Sequence, residues 1–201
     1  MILRRVVLVL LVLPIAPLCL QAQPAESVAR EREEYAIYSA IISKHYIKDG
    51  VRLVVVTTPT CCEVSERRKE DVMPRFQYFV SAEPSPAPET LDSYVERNRT
   101  SVEVQKLFKL NVEVKIVLYK KIESLFDMIE LEEDWKTFYR MFPHSNGYIR
   151  FSRAGFNRAG NEAFVSTAWM SGSLSGEGRY ILLRKKDGRW NVETSITTWV
   201  S

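Results

Sequence analysis

Apolar positions along this chain recur with two clear periods. From Ser27 to about Lys44 they fall at Val28, Tyr35, Tyr38, Ile41, Ile42 and His45 or Tyr46, spacings that predict one helical stripe. Glu31, Glu33 and Glu34 stand early in it, where negative charge suits the positive end of the helix dipole. Asp49-Gly50 ends it. Val51 to Thr58 (VRLVVVTT) is unbroken and rich in β-branched residues, the pattern of a strand buried on both faces. Glu89 to Asn98 predicts a short helix with Leu91, Tyr94 and Val95 inward. Asn111 to Lys120 alternates, with Val112, Val114, Ile116 and Leu118 opposed to Glu113 and Lys115, and predicts a half-buried strand. Glu132 to Phe142 carries Trp135, Phe138, Tyr139 and Phe142 at helical spacing. Glu132, Glu133 and Asp134 fill its first turn and Pro143 stops it.

The C-terminal part predicts an antiparallel meander. Ser145-Asn146-Gly147 turns the chain into a strand from Tyr148 to Phe156, and Asn157 to Asn161 turns it into another from Glu162 to Met170. A loop from Ser171 to Gly178 leads to Arg179–Lys186. Asp187-Gly188 is a hairpin signal, and the last strand alternates from Trp190 to Val200. A meander with one apolar face must cover it, and the aromatic helix and the N-terminal helix are the available covers. The expectation is an α+β fold, a curved antiparallel sheet with helices on one side. By analogy of fold alone it resembles the cystatin or nuclear-transport-factor-like (NTF2-like) cones.

Two stretches change the picture. Residues 1–22 (MILRRVVLVLLVLPIAPLCLQA) place Arg4 and Arg5 before an apolar run from Val6 to Leu13, then Pro14, Pro17 and a small residue at Ala22. That is the order of a secretory signal peptide, and two prolines in so short a run argue against a spanning helix. Cleavage after Ala22 leaves residues 23–201 as one α+β domain in an extracytoplasmic space, periplasmic or secreted. An uncleaved anchor is the alternative. Lipid attachment at Cys19 ranks last, because Leu18 precedes it. Residues 60–90 read poorly: Glu63 to Asp71 is nearly all charged, Phe76 to Val80 reads as a short strand, and Glu83 to Pro88 is a stiff extended connection.

Lys and Arg number 28 against 25 Asp and Glu, and loss of Arg4 and Arg5 would leave the remainder almost neutral. So balanced a chain gives no reason to expect nucleic acid as a partner. Cys61 and Cys62 are adjacent. The readings for the pair are a structural vicinal disulfide, pairing between chains, or a redox or metal module, and no CxxC supports a thioredoxin-like role. His45 and His144 lack ligand spacing, so neither a metal nor a cofactor is expected. The glycine loop 172–178 lacks Ser at the centre of a nucleophile elbow, and no Lys-Ser/Thr follows it to hold phosphate. Glu132, Glu133 and Asp134 point in different directions on a helix, and helix-start electrostatics accounts for them. Arg153 shares a strand face with Ile149 and Phe151. It is either an edge arginine reaching water past its apolar stem or an inward one that needs a buried partner or an anionic ligand.

Trp135, Phe138-Tyr139, Pro143-x-Ser145-x-Gly147, Ser152-Arg153-x-Gly155-Phe156-Asn157, Gly176-x-Gly178-x-Tyr180, Leu182-Leu183-x-Lys185, Gly188-x-Trp190 and Trp199-Val200-Ser201 together resemble the pattern of a group of small exported bacterial proteins of unknown function. The segment Glu34-Tyr35-Ala36-Ile37-Tyr38-Ser39 fits too. Members often carry cysteines in the glycine loop, where this chain has Ser171 and Ser175. The resemblance implies export and a common fold, and no reaction.

The expected function is a non-enzymatic domain that binds a small ligand or an envelope protein in the concavity of its sheet. Arg153, Tyr148, Tyr180, Trp190 and Trp199 are the candidate binding residues, no catalytic residue is assigned, and the membrane is met only through an uncleaved signal segment. The alternatives are a cell-envelope hydrolase or transferase, and a redox or metal module at Cys61-Cys62.

Overall fold

A computed structural model describes residues 25–61, 83–126 and 130–201. Helix α1 (Ala25–Ile41) runs on into one π-helical turn, Ile42–Tyr46. Strand β1 (Leu53–Thr58) follows, buried at all six residues, as an unbroken β-branched run dictates. Then come α2 (Pro88–Arg97), β2 (Glu113–Leu118), the short α3 (Tyr119–Glu123) and α4 (Leu131–Met141). The chain closes with β3 (Tyr148–Phe151), β4 (Gly155–Phe156), β5 (Glu162–Gly172), β6 (Ser175–Lys186) and β7 (Arg189–Val200).

These strands form one sheet in the order β2-β1-β3-β5-β6-β7, with β4 beside β5. The α+β class and the antiparallel C-terminal meander stand as the hydrophobic pattern predicts. Beyond the meander the sheet is mixed, for β1 pairs in parallel with both β2 and β3. That is why β1 tolerates no polar face: it lies inside the sheet, with helices above and below.

The expectation of helices on one side is corrected. Tyr35, Tyr38 and Ile41 of α1, with Ile42 of the π-helical turn, pack against Val54, Val56, Ile149, Phe151, Val165 and Leu183 on one face. On the opposite face Trp135 and Phe138 of α4, with Phe142 just past its end, cover Leu53, Val55, Val117 and Tyr148. Beside them Leu91, Tyr94 and Val95 of α2 cover Phe164 and Leu182. Both faces of the meander are apolar where a helix lies on them, so alternation alone could not show that the covers are divided.

Three local expectations also change. Leu118, placed inward by alternation, is 58% exposed, because the chain leaves the sheet there and turns into α3, and Val117 is buried instead. The strand from Tyr148 to Phe156 is interrupted at Ser152-Arg153-Ala154 and resumes as β4. The loop from Ser171 to Gly178 is a tight hairpin, with only Ser173 and Leu174 between β5 and β6. Gly176 and Gly178 lie inside β6, since a Cβ at either would meet the Met170 side chain or the Trp199 indole. They are glycines for packing, not for loop flexibility. The charged run and the strand expected within residues 62–82 lie outside the described residues.

Candidate functional site

Three pieces of chain converge at one end of the α4 face. β2 ends in α3, bringing Tyr119 and Glu123; the chain after α3 brings Phe126; and α4 begins at Leu131 and carries Trp135 one turn later. The floor is the start of β3 and the end of β5, where Tyr148 pairs with Met170. Gly147, with φ +91°, makes this meeting possible, because a Cβ there would strike the Met170 carbonyl. Tyr139 donates a hydrogen bond of 2.8 Å to the Ser171 carbonyl and ties α4 to the β5–β6 hairpin. Between these walls lies a cavity of about 450 Å³, lined by Tyr119, Glu123, Phe126, Leu131, Trp135, Tyr148, Met170, Gly172 and Ser173. That volume falls in the range of small-molecule sites.

The rings brace one another. Trp135 lies 4.9 Å from Phe126, 5.2 Å from Phe138 and 6.2 Å from Tyr148, the last pair nearly parallel at 12°. Burial pushes the Tyr148 hydroxyl up to about 12, with Tyr119 and Glu123 adding to the rise and Arg150 opposing it, so it remains a neutral phenol at physiological pH. Arg150, two residues along β3, stacks on Tyr119 with its guanidinium carbon 3.6 Å from the ring centroid. Its Nε is buried without a hydrogen-bond partner. Of the ionisable groups, only the Glu123 carboxyl and the two phenols line the cavity, and Ser173 supplies its one aliphatic hydroxyl. Neither histidine lines it.

The residues expected to bind a ligand are not brought together. Tyr148 lines this cavity. Tyr180 packs on Phe164 beneath α2, 5.4 Å between ring centroids. Trp190 lies on the α1 face, where its indole N–H donates to Glu33, a carboxyl also held by Lys185. It borders a second, more polar groove of about 500 Å³ with Arg32, Lys109 and Arg189. Trp199 lies over Gly178 near the C-terminus.

Arg153 is inward, and its partner is a carboxylate of the chain itself. Its guanidinium is 3.7 Å from Glu34 Oε2, which Arg97 also holds at 2.7 Å. Glu34 Oε1 accepts from the Ala154 N–H at 2.6 Å and lies 3.1 Å from the Tyr38 hydroxyl. Asn98 completes the arrangement, its amide donating to the Arg153 carbonyl and its Oδ1 accepting the Arg153 N–H. The break between β3 and β4 is thus a loop whose backbone is satisfied by Glu34 and Asn98.

Phe126, Trp135, Tyr119 and Glu123 were not singled out for a site in the sequence. Trp135 was legible only as helix core, and α3 gave no periodic signal in five residues. The Cys61-Cys62 pairing lies outside the described residues, because Cys62 does. Among the described residues no group of three His, Cys, Asp or Glu could hold a metal, and no helix is long and apolar enough to cross a membrane.

His45 lies in the π-helical turn with its Nε2 buried and without a hydrogen-bond partner. Burial, then the nearby Arg179, hold its pKa below the ordinary 6.5, while Glu177 acts the other way. The unfolded chain therefore binds more protons in the window below about 6.5, and stability rises with pH through it. Urea midpoints measured from pH 5 to 7.5 should fall on the acid side, and His45→Gln should flatten that slope. An equal slope in both proteins would contradict the assignment.

Comparison with family models, curated proteins and solved structures returns no match. Neither the pattern of the small exported proteins nor the cystatin-like analogy gains support from it.

Proposed function

We propose that this chain is an exported, non-catalytic binding domain whose ligand occupies the cavity between α3, α4 and the β3–β5 floor. The observation that carries the reading is the lining itself: four aromatic rings and a methionine around about 450 Å³, with one carboxylate and few other polar groups. Such a surface recognises the apolar body of a small molecule and fixes its orientation through a few polar contacts. The signal-like N-terminus supports an extracytoplasmic place of action.

A thermal-shift screen against small apolar and amphipathic compounds tests this. A ligand at about 100 times its dissociation constant should add roughly 2.7 kcal/mol of stability. Leu131→Trp, which fills the cavity from a partly buried position, should keep the fold and abolish that gain. A compound that stabilises both proteins equally binds elsewhere, and this assignment then fails.

A further inference from the structure

Resting on that reading, we propose that the cavity selects a cation clothed in carbon, a quaternary or fully methylated ammonium group. Phe126, Trp135 and Tyr148 line it with Tyr119, and aromatic faces carry the negative side of the ring quadrupole. The one carboxylate among the lining residues, Glu123, adds a full negative charge. Glu132, Glu133 and Asp134 follow the lining residue Leu131 in the first turn of α4. Glu133 pairs with Lys136 at 2.6 Å.

The choice of a methylated cation over a bare one follows from hydrogen-bond accounting. A primary ammonium brings three N–H donors, and a guanidinium five, into a space with one carboxylate and three hydroxyls on its lining. Donors left without partners carry the full desolvation penalty. A quaternary ammonium has none to satisfy and gains from every ring it touches. Arg150 is already stacked on Tyr119, so among the described residues Phe126, Trp135 and Tyr148 are the lining rings with no cation over them.

Isothermal titration of the full chain with choline, tetramethylammonium and the neutral carbon isostere dimethylbutanol tests the charge directly. Choline should bind about tenfold or more tighter than dimethylbutanol, and tetramethylammonium should compete with it. Glu123→Gln, at an exposed position where folding is not at stake, should weaken choline severalfold and leave dimethylbutanol unchanged. If dimethylbutanol binds as tightly as choline and Leu131→Trp abolishes both, the cation inference fails while the cavity reading stands. If an anionic probe such as acetate displaces choline's advantage and binds through Arg150, lost in Arg150→Gln, the inference fails likewise. If neither choline nor dimethylbutanol nor any screened apolar compound binds, both readings fall together.

Discussion

Replacing Glu34 with alanine should lower stability by about 3–5 kcal/mol, the largest single effect expected from a polar side chain here. Glu34 is 4% exposed, and the two arginines it holds keep side-chain exposures of only 21% for Arg97 and 17% for Arg153. Without the carboxylate both guanidinium groups stay mostly buried and unpaired, and the Ala154 N–H loses its acceptor. Burial of an uncompensated charge is the costly part, not the lost attraction. For a chain of this size the shift corresponds to roughly 10 °C in melting temperature. Glu34→Gln keeps a carbonyl acceptor for Ala154 and should lose less. A Glu34→Ala protein within about 1 kcal/mol of the parent in urea titration would mean that water reaches the cluster and that the ion pairs act as surface ones do.

Phe138→Ala should cost a comparable amount, about 3–5 kcal/mol, for a different reason. Phe138 is fully buried and its ring meets those of Trp135, Tyr139, Phe142 and Tyr148 at 5.2, 5.3, 4.9 and 6.0 Å. Truncation removes apolar area from burial and leaves a void that four rigid rings cannot fill without breaking their own contacts. Trp135 and Tyr148 also line the cavity, so the same change should weaken ligand binding without touching the ligand. Urea unfolding with an unchanged slope and a lower midpoint would show loss of stability alone. A cost under about 1 kcal/mol would show that α4 repacks freely, and the cavity would then lack its rigid wall.

Much of the fold was legible because its elements are strongly patterned. The stripe at Trp135, Phe138 and Phe142, the continuous β1 and the hairpin at Asp187-Gly188 each state their structure within a few residues. What stayed hidden depends on distant partners. Nothing local in VRLVVVTT says that its neighbours, β2 and β3, run parallel to it. Gly176 and Gly178 read as a loop because the reason for them, the Met170 and Trp199 side chains, comes from other parts of the chain. Glu34 read as a helix-start charge, since its arginines lie 63 and 119 positions away.

The candidate site was less legible still. The strand pattern favours an edge arginine at Arg153 over an inward one, because the carboxylate it meets, Glu34, cannot be seen from a strand alone. The cavity joins a five-residue helix, the first turn of α4 and two strand ends, and of its residues the sequence pattern offers only Tyr148 for binding. Sites at element ends leave little periodic trace, because each element contributes one or two side chains.

The measurement that bears most directly on the central claim is chemical-shift mapping of the isotope-labelled protein titrated with choline. A binding cavity between α3, α4 and the β3–β5 floor predicts saturable shifts centred on Tyr119, Glu123, Phe126, Trp135, Tyr148 and Met170, absent in Leu131→Trp. Shifts centred instead on Trp190 and the groove beside α1 would contradict it, as would the absence of saturable shifts with choline, dimethylbutanol and every screened apolar compound alike.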